Sequence, residues 1–308
     1  MSDIMSIRGH LFQNKQIAVP DENMIKDNYN FRIKFWGTRG SIPTPGRYFI
    51  KYGGNTACVE IRCGDKIIIC DAGSGLRELG ASLLLEYGGD PQELHILISH
   101  THWDHIQGFP FFSMAYLPGK KLNFYGGNNV TNLEKLLHSQ MDRDFFPVTM
   151  SELSSEMTFN TLTDNPFNIG GIKIHYTHQI HPSLSIGYRL EYNGKVVVYA
   201  SDSEISDDPD ISKFNESNVK KFINGADVLI ADCQYTKDEY KDKIGWGHSP
   251  IEKIIEICNE NNVKNLFAFH HDPVRTDEQL DIMLDNAQKL VKSPMKLYGA
   301  RERMTVYL

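Results

Sequence analysis

Between Ile98 and Ile106 the chain reads Ser99-His100-Thr101-His102-Trp103-Asp104-His105. Three imidazoles and one carboxylate fall within six positions, directly after the apolar run Leu94 to Ile98. Side chains that alternate off a strand end and then enter a tight turn can converge on one point. Neutral imidazole with carboxylate oxygen is a donor set that divalent transition metals take. Histidines also cluster by accident or sit hydrogen-bonded in a core. With 12 His in 308 residues, however, a chance His-x-His-x-Asp-His is rare, and the pattern implies a metalloenzyme.

Further ligands of such a centre should stand at other strand ends, and three places fit. His181 follows Ile180 and precedes Pro182; Asp202 follows the apolar strand Val196 to Tyr199; His270 follows the strand Leu266 to Phe269. Alone, Asp202 reads equally well as a turn cap, and either histidine as a buried hydrogen-bonded one. Their order after a strong cluster favours ligation. In His270-His271 either residue could end the strand.

The elements that must hold these residues are legible from periodicity. Residues 1–30 read as an N-terminal extension and 31–308 as the domain. Phe31 to Gly37 alternates as a strand. Cys58 to Arg62 and Lys66 to Cys70 form a hairpin about Gly64-Asp65. After the glycine-rich turn Asp71 to Gly75, a helix runs to Tyr87 with Leu76, Leu79, Leu83 and Leu84 on one face. Strands are expected at Leu94 to Ile98, Lys121 to Tyr125 and Ile172 to Thr177. Further ones follow at Ser185 to Tyr192, Lys195 to Ala200, Val228 to Ala231, Leu266 to Phe269 and Met304 to Leu308. Helices are expected at 132–140, 249–261 and 277–291, and 141–170 reads as irregular. Sheets covered by helices follow from this order.

Bulk composition narrows the function. With 41% hydrophobic and 23% charged residues the chain is an ordinary globular sequence, and no run approaches the ~18 apolar residues of a membrane span. No secretory signal is evident. Five cysteines without a Cys-x-x-Cys pair suit the reducing cytoplasm. A net charge of −7 argues against a large nucleic-acid partner.

With His100, His102, Asp104, His105, His181, Asp202 and His270 in this order, residues 31–308 resemble the metallo-β-lactamase-fold hydrolases. The resemblance implies an α/β fold, an αββα sandwich of two mixed sheets flanked by helices, with a dinuclear site at one edge. His100, His102 and His181 would hold one divalent ion and Asp104, His105 and His270 the other, with Asp202 between them. The ions would be Zn2+, with Mn2+ or Fe2+ also suited to these donors. Phe35-Trp36-Gly37-Thr38-Arg39-Gly40-Ser41 and Trp246-Gly247-His248-Ser249-Pro250 are similar to the ribonuclease Z-like and cyclic-phosphate phosphodiesterase branch. Tyr52-Gly53-Gly54-Asn55-Thr56 resembles a small-phosphodiester subgroup, and dimerisation is implied by resemblance alone.

The expected reaction is hydrolysis of a small phosphodiester, a cyclic nucleotide first, by a metal-activated water. Asp104, His248 and Glu204 are the candidate catalytic residues: His248 as general acid or phosphate contact, Glu204 as the hydrogen-bond partner fixing its tautomer. Arg39, Asn55 and His248 are candidates for binding substrate, Arg39 as a bidentate phosphate donor. Asp71, at a strand end, should orient a histidine ligand. A ribonuclease Z-like endonuclease is the rival, but the interval from His181 to Asp202 is too short for a tRNA-gripping arm. A β-lactamase or thioesterase has only the metal motif in its favour, and Trp103 stands where an iron-dependent oxygen reductase carries a carboxylate. A non-catalytic sensor is opposed by the complete set of ligand types.

Overall fold

The computed structural model describes residues 31–90, 92–127, 133–208 and 217–308. The expected extension 1–30 and the first residue of the helix expected at 132–140 lie outside the described residues.

Two seven-stranded mixed sheets stack face to face. The first contains β1 (Phe31–Gly37), β2 (Cys58–Cys63), β3 (Lys66–Cys70), β4 (Gln92–Leu97), β5 (Lys120–Tyr125), β6 (Glu156–Asn160) and β14 (Thr305–Tyr307). Its order is β14-β1-β2-β3-β4-β5-β6. The second contains β7 (Phe167–Ile169), β8 (Ile172–Gln179), β9 (Ser185–Tyr192), β10 (Lys195–Ala200), β11 (Val228–Asp232), β12 (Asn265–Phe269) and β13 (Lys296–Gly299). Its order is β13-β12-β11-β10-β9-β8-β7. In both sheets an antiparallel meander gives way to a parallel run, β3 to β6 and β10 to β13.

The central parallel strands β3, β10, β11 and β12 are nearly continuous apolar runs because both of their faces are covered. Ile68 and Leu97 point between the sheets, where they meet Phe35, Tyr188, Val197, Tyr199, Ile230 and Phe267. Ile67, Ile69, Leu94 and Ile96 point outward against Leu76, Leu79 and Leu83 of α1 (Gly75–Tyr87). On the far side, Val198, Leu229 and Leu266 pack on Ile254, Ile255 and Leu280 from the helices Ile251–Glu260 and Asp277–Gln288. This is the expected αββα sandwich. Parallel strands deliver their C-terminal ends to a common edge, where functional residues of such sheets gather.

Some expectations need correction. Leu84 is 40% exposed, since at 3.6 residues per turn it falls well off the Leu76–Leu79–Leu83 line. The stretch 141–170 is not irregular throughout, because β6 and β7 close the edges of the two sheets. β13, beside β12, had no counterpart among the expected strands. Among the described residues, no helix is long and apolar enough to cross a membrane.

Candidate metal centre

The cluster is built where the chain leaves β4. His102 is extended (φ −62°, ψ 153°) and caps a single helical turn, α2 (Trp103–Ile106). An extended segment therefore presents His100 and His102, and the first turn of α2 adds Asp104 and His105. The rings of His100 and His102 are 4.6 Å apart between centroids, and those of His100 and His105 4.2 Å apart.

The second sheet supplies the rest from the exits of β8, β10 and β12. His181 lies 4.7 Å from His100 and 4.9 Å from His102, ring to ring. Asp202 and His270 both turn through left-handed backbone, φ 51° and 58°, which aims their side chains back over the sheet edge. Gly40 makes room for the His270 ring, as a Cβ there would stand 2.5 Å from it. His271 turns away and its Nε2 donates to the Ala300 carbonyl at 2.7 Å, so His270 is the member of the pair in the cluster.

Asp202 faces two histidine groups with its two oxygens. Oδ1 is 3.7 Å from His100 Nε2 and 3.8 Å from His181 Nε2. Oδ2 is 3.0 Å from His105 Nε2 and 3.3 Å from His270 Nε2. Asp104 Oδ2 joins the second group, 3.3 Å from His105 Nε2 and 3.1 Å from His270 Nε2. Among the described residues three sets of donor atoms converge within 4.8 Å: His100–His102–His181, Asp104–His105–Asp202–His270 and, overlapping the second, Asp202–Asp232–His248–His270.

This donor set fits divalent cations. Among the described residues the buried Nε2 of His100 finds no hydrogen-bond partner, an expensive arrangement unless its lone pair is used. Asp71 Oδ2 accepts from His105 Nδ1 at 2.7 Å, which leaves Nε2 as the nitrogen facing the cluster. Burial drives the pKa of His100 well below its ordinary value and that of His181 down to about 4, keeping both as neutral imidazoles. At His105 burial also opposes charge, but Asp202, Asp104 and Asp71 outweigh it and raise the pKa. Asp104 and Asp202 stay ionised despite burial because His105 and His270 face them. Such a concentration of anionic oxygen and imidazole is what a cation would neutralise.

His248 stands beside this centre, its ring 5.0 Å from that of His270 and 5.9 Å from that of His181. Its partner is not Glu204, contrary to expectation. Asp232, at the end of β11, places Oδ2 2.6 Å from His248 Nδ1. Burial resists protonation here, but Asp232 and the cluster carboxylates push the pKa up to about 9. Glu204 is buried and accepts from the Gly245 amide at 2.7 Å and the Gly247 amide at 2.8 Å, so it fixes the loop leading to His248. The strand-exit rule that found Asp202 would also have found Asp232.

Two expected substrate contacts are engaged elsewhere. Arg39 is fully buried; its Nε donates to the Gly53 carbonyl at 2.8 Å. Its Nη1 donates to the carbonyls of Asp272 at 3.0 Å and Arg275 at 2.8 Å, so it clamps two loops together. Asn55 accepts from Ser74 Oγ at 3.0 Å, and its carbonyl takes the amides of Thr38 and Arg39, both at 2.9 Å. Sequence reasoning missed the Ser41 amide, which donates to Asp104 Oδ2 at 2.7 Å and ties the loop after β1 to the cluster. A backbone donor leaves no trace in residue type.

Comparison with known proteins agrees with this fold. The beta-lactamase superfamily domain matches residues 66–271, well over half of the chain. Among curated relatives, ribonuclease Z of Picrophilus torridus is 26% identical over 302 residues, covering 84% of this chain and 91% of its own. Ribonuclease Z of Staphylococcus carnosus is 24% identical over 285 residues, covering 77% and 87%. Among solved structures, the metallo-beta-lactamase fold protein YhfI from Bacillus subtilis superposes with TM-score 0.67 at 19% identity, over 90% of this chain and 98% of that one. A diphosphatase from the PhnP family gives TM-score 0.62 at 16% identity over the same shares, a likeness of fold. The chain therefore belongs to the beta-lactamase superfamily, as a metallo-β-lactamase-fold hydrolase related to ribonuclease Z.

Proposed function

We propose that this chain is a dinuclear metal-dependent phosphodiesterase whose substrate is a small phosphodiester, a cyclic nucleotide first. The observation that carries the reading is Asp202, whose two oxygens each face a separate histidine group. On this reading His100, His102 and His181 would hold one divalent ion and Asp104, His105 and His270 the other, with Asp202 available to both. When bound, such a pair supplies an acidified water and positive charge near the phosphate, with zinc suited to these donors and manganese or iron alternatives. The chain's own residues do the rest. Asp71 and Gln234 fix the rings of His105 and His270. His248, held protonated by Asp232, gives its proton to the departing oxygen. Glu204 keeps His248 at the rim by holding its loop.

The ribonuclease Z relatives support a second reading, cleavage of an RNA phosphodiester. Against it, the chain between His181 and Asp202 is taken up by the β9–β10 hairpin, which offers no protruding arm, and the net charge is −7. The deciding experiment is hydrolysis of bis(p-nitrophenyl) phosphate by chelator-stripped protein with zinc, manganese or iron restored. Cyclic nucleotides and a precursor tRNA follow as competing substrates. Metal-restored cleavage with preference for the cyclic nucleotide supports the proposal. Preference for tRNA would transfer it to the endonuclease reading, and two bound ions without any hydrolysis would leave a metal-binding sensor.

A further inference from the structure

Trp246 lies two residues before His248 and is 54% exposed. Its position is nevertheless closely held. The buried carboxylate of Glu204 accepts from the amides on either side of it, Gly245 through Oε1 and Gly247 through Oε2. Tyr240 donates its hydroxyl to the same carboxylate. The Trp246 amide donates to the Lys243 carbonyl at 3.1 Å, closing a turn, and Lys243 Nζ sits 3.9 Å from the centre of the indole. Gly247 has φ 90°, and a Cβ there would stand 2.0 Å from the His181 ring. The loop therefore rests directly on a residue of the metal centre.

Fixing His248 requires holding Gly247; it does not require an indole one residue earlier. An exposed ring held at both flanking amides, with an ammonium on one face, is a preformed flat surface on the loop that carries His248. Flat π-faces together with cationic groups are how proteins receive nucleobases. We infer that Trp246, backed by Lys243 and held by Glu204, is the stacking platform for the base of a nucleotide whose phosphate lies at the metal centre. The substrate class is then a nucleoside phosphodiester, not a diester of a sugar or a simple alcohol. The inference rests on the reading of this centre as a phosphate site and adds the part of the substrate that is recognised.

The test is calorimetric titration of the zinc-loaded protein with adenosine 5′-monophosphate and, separately, with ribose 5-phosphate, which differ by the base. The wild type should bind the nucleotide roughly tenfold or more tightly, the fold-change one base–aromatic stack supplies. W246A should abolish that preference and W246F should keep most of it. Equal affinity of the wild type for the two ligands, or a preference retained in W246A, overturns the inference. A preference that depends on Trp246 in a protein cleaving no diester would sink the phosphodiesterase reading and leave nucleotide recognition standing.

Discussion

Asp232 Oδ2 lies 2.6 Å from His248 Nδ1, which commits that nitrogen and leaves Nε2 as the atom free to exchange a proton. The pair is buried, so the carboxylate acts on the imidazole with little screening. A general acid must enter the reaction protonated, so activity falls as pH rises through the His248 pKa. D232N keeps a hydrogen-bonding group but removes the charge that pushes this pKa up. The alkaline limb of the kcat profile should therefore move to lower pH, with kcat reduced about tenfold or more and bound metal unchanged. A limb that stays in place would remove Asp232 from this role.

Asp202 occupies left-handed backbone, which asparagine tolerates far better than alanine. D202N thus tests charge without adding backbone strain. The variant should fold with a normal circular dichroism spectrum, bind fewer metal ions per chain and lose about a hundredfold or more in activity. Full metal content by plasma emission would contradict the role proposed for this residue in both half-sites.

Asp71 accepts four hydrogen bonds: from Ser99 N at 2.7 Å, Ser99 Oγ at 2.8 Å, Tyr199 Oη at 2.6 Å and His105 Nδ1 at 2.7 Å. It never faces the cluster itself, so its influence runs through the orientation of His105. D71N should weaken metal affinity by about 10- to 100-fold, read by competition with a chelating dye. Unchanged affinity would reduce Asp71 to a support for the core.

Arg39 was expected at the substrate, yet its guanidinium is spent on the carbonyls of Gly53, Asp272 and Arg275. R39A leaves the Gly53 and Arg275 carbonyls without their guanidinium donor and opens a cavity the size of the side chain. Stability should fall by about 3 kcal/mol, seen as a lower denaturation midpoint, while KM of the folded fraction changes less than about twofold. A large rise in KM with unaltered stability would restore it as a substrate contact.

The ligand cluster was legible because His-x-His-x-Asp-His compresses its chemistry into one strand exit, and its partners obey the same rule. Glu204 and Asp232 show where the reading stops. Both are acids near His248, and only the fold decides which reaches the ring and which reaches the loop amides. Arg39 sits between glycines in a segment that looks like a surface loop, but the bridges from Arg39 to Thr56 and His271 draw it inside. β6 and β7 escaped notice because edge strands bury little: three of the five β6 residues are only half-buried and the other two are exposed. β13 is four residues long and pairs in parallel, so neither length nor alternation marks it.

The two halves of the proposed site come from different sheets and from distant parts of the chain. His100 to His105 are synthesised long before Asp202 and His270, and Asp202 is the residue facing both groups. No ion can be held by the full set until His270 has left the ribosome and the second sheet has docked on the first. On the proposed function, capture of cations by the full set would be a late event in biogenesis.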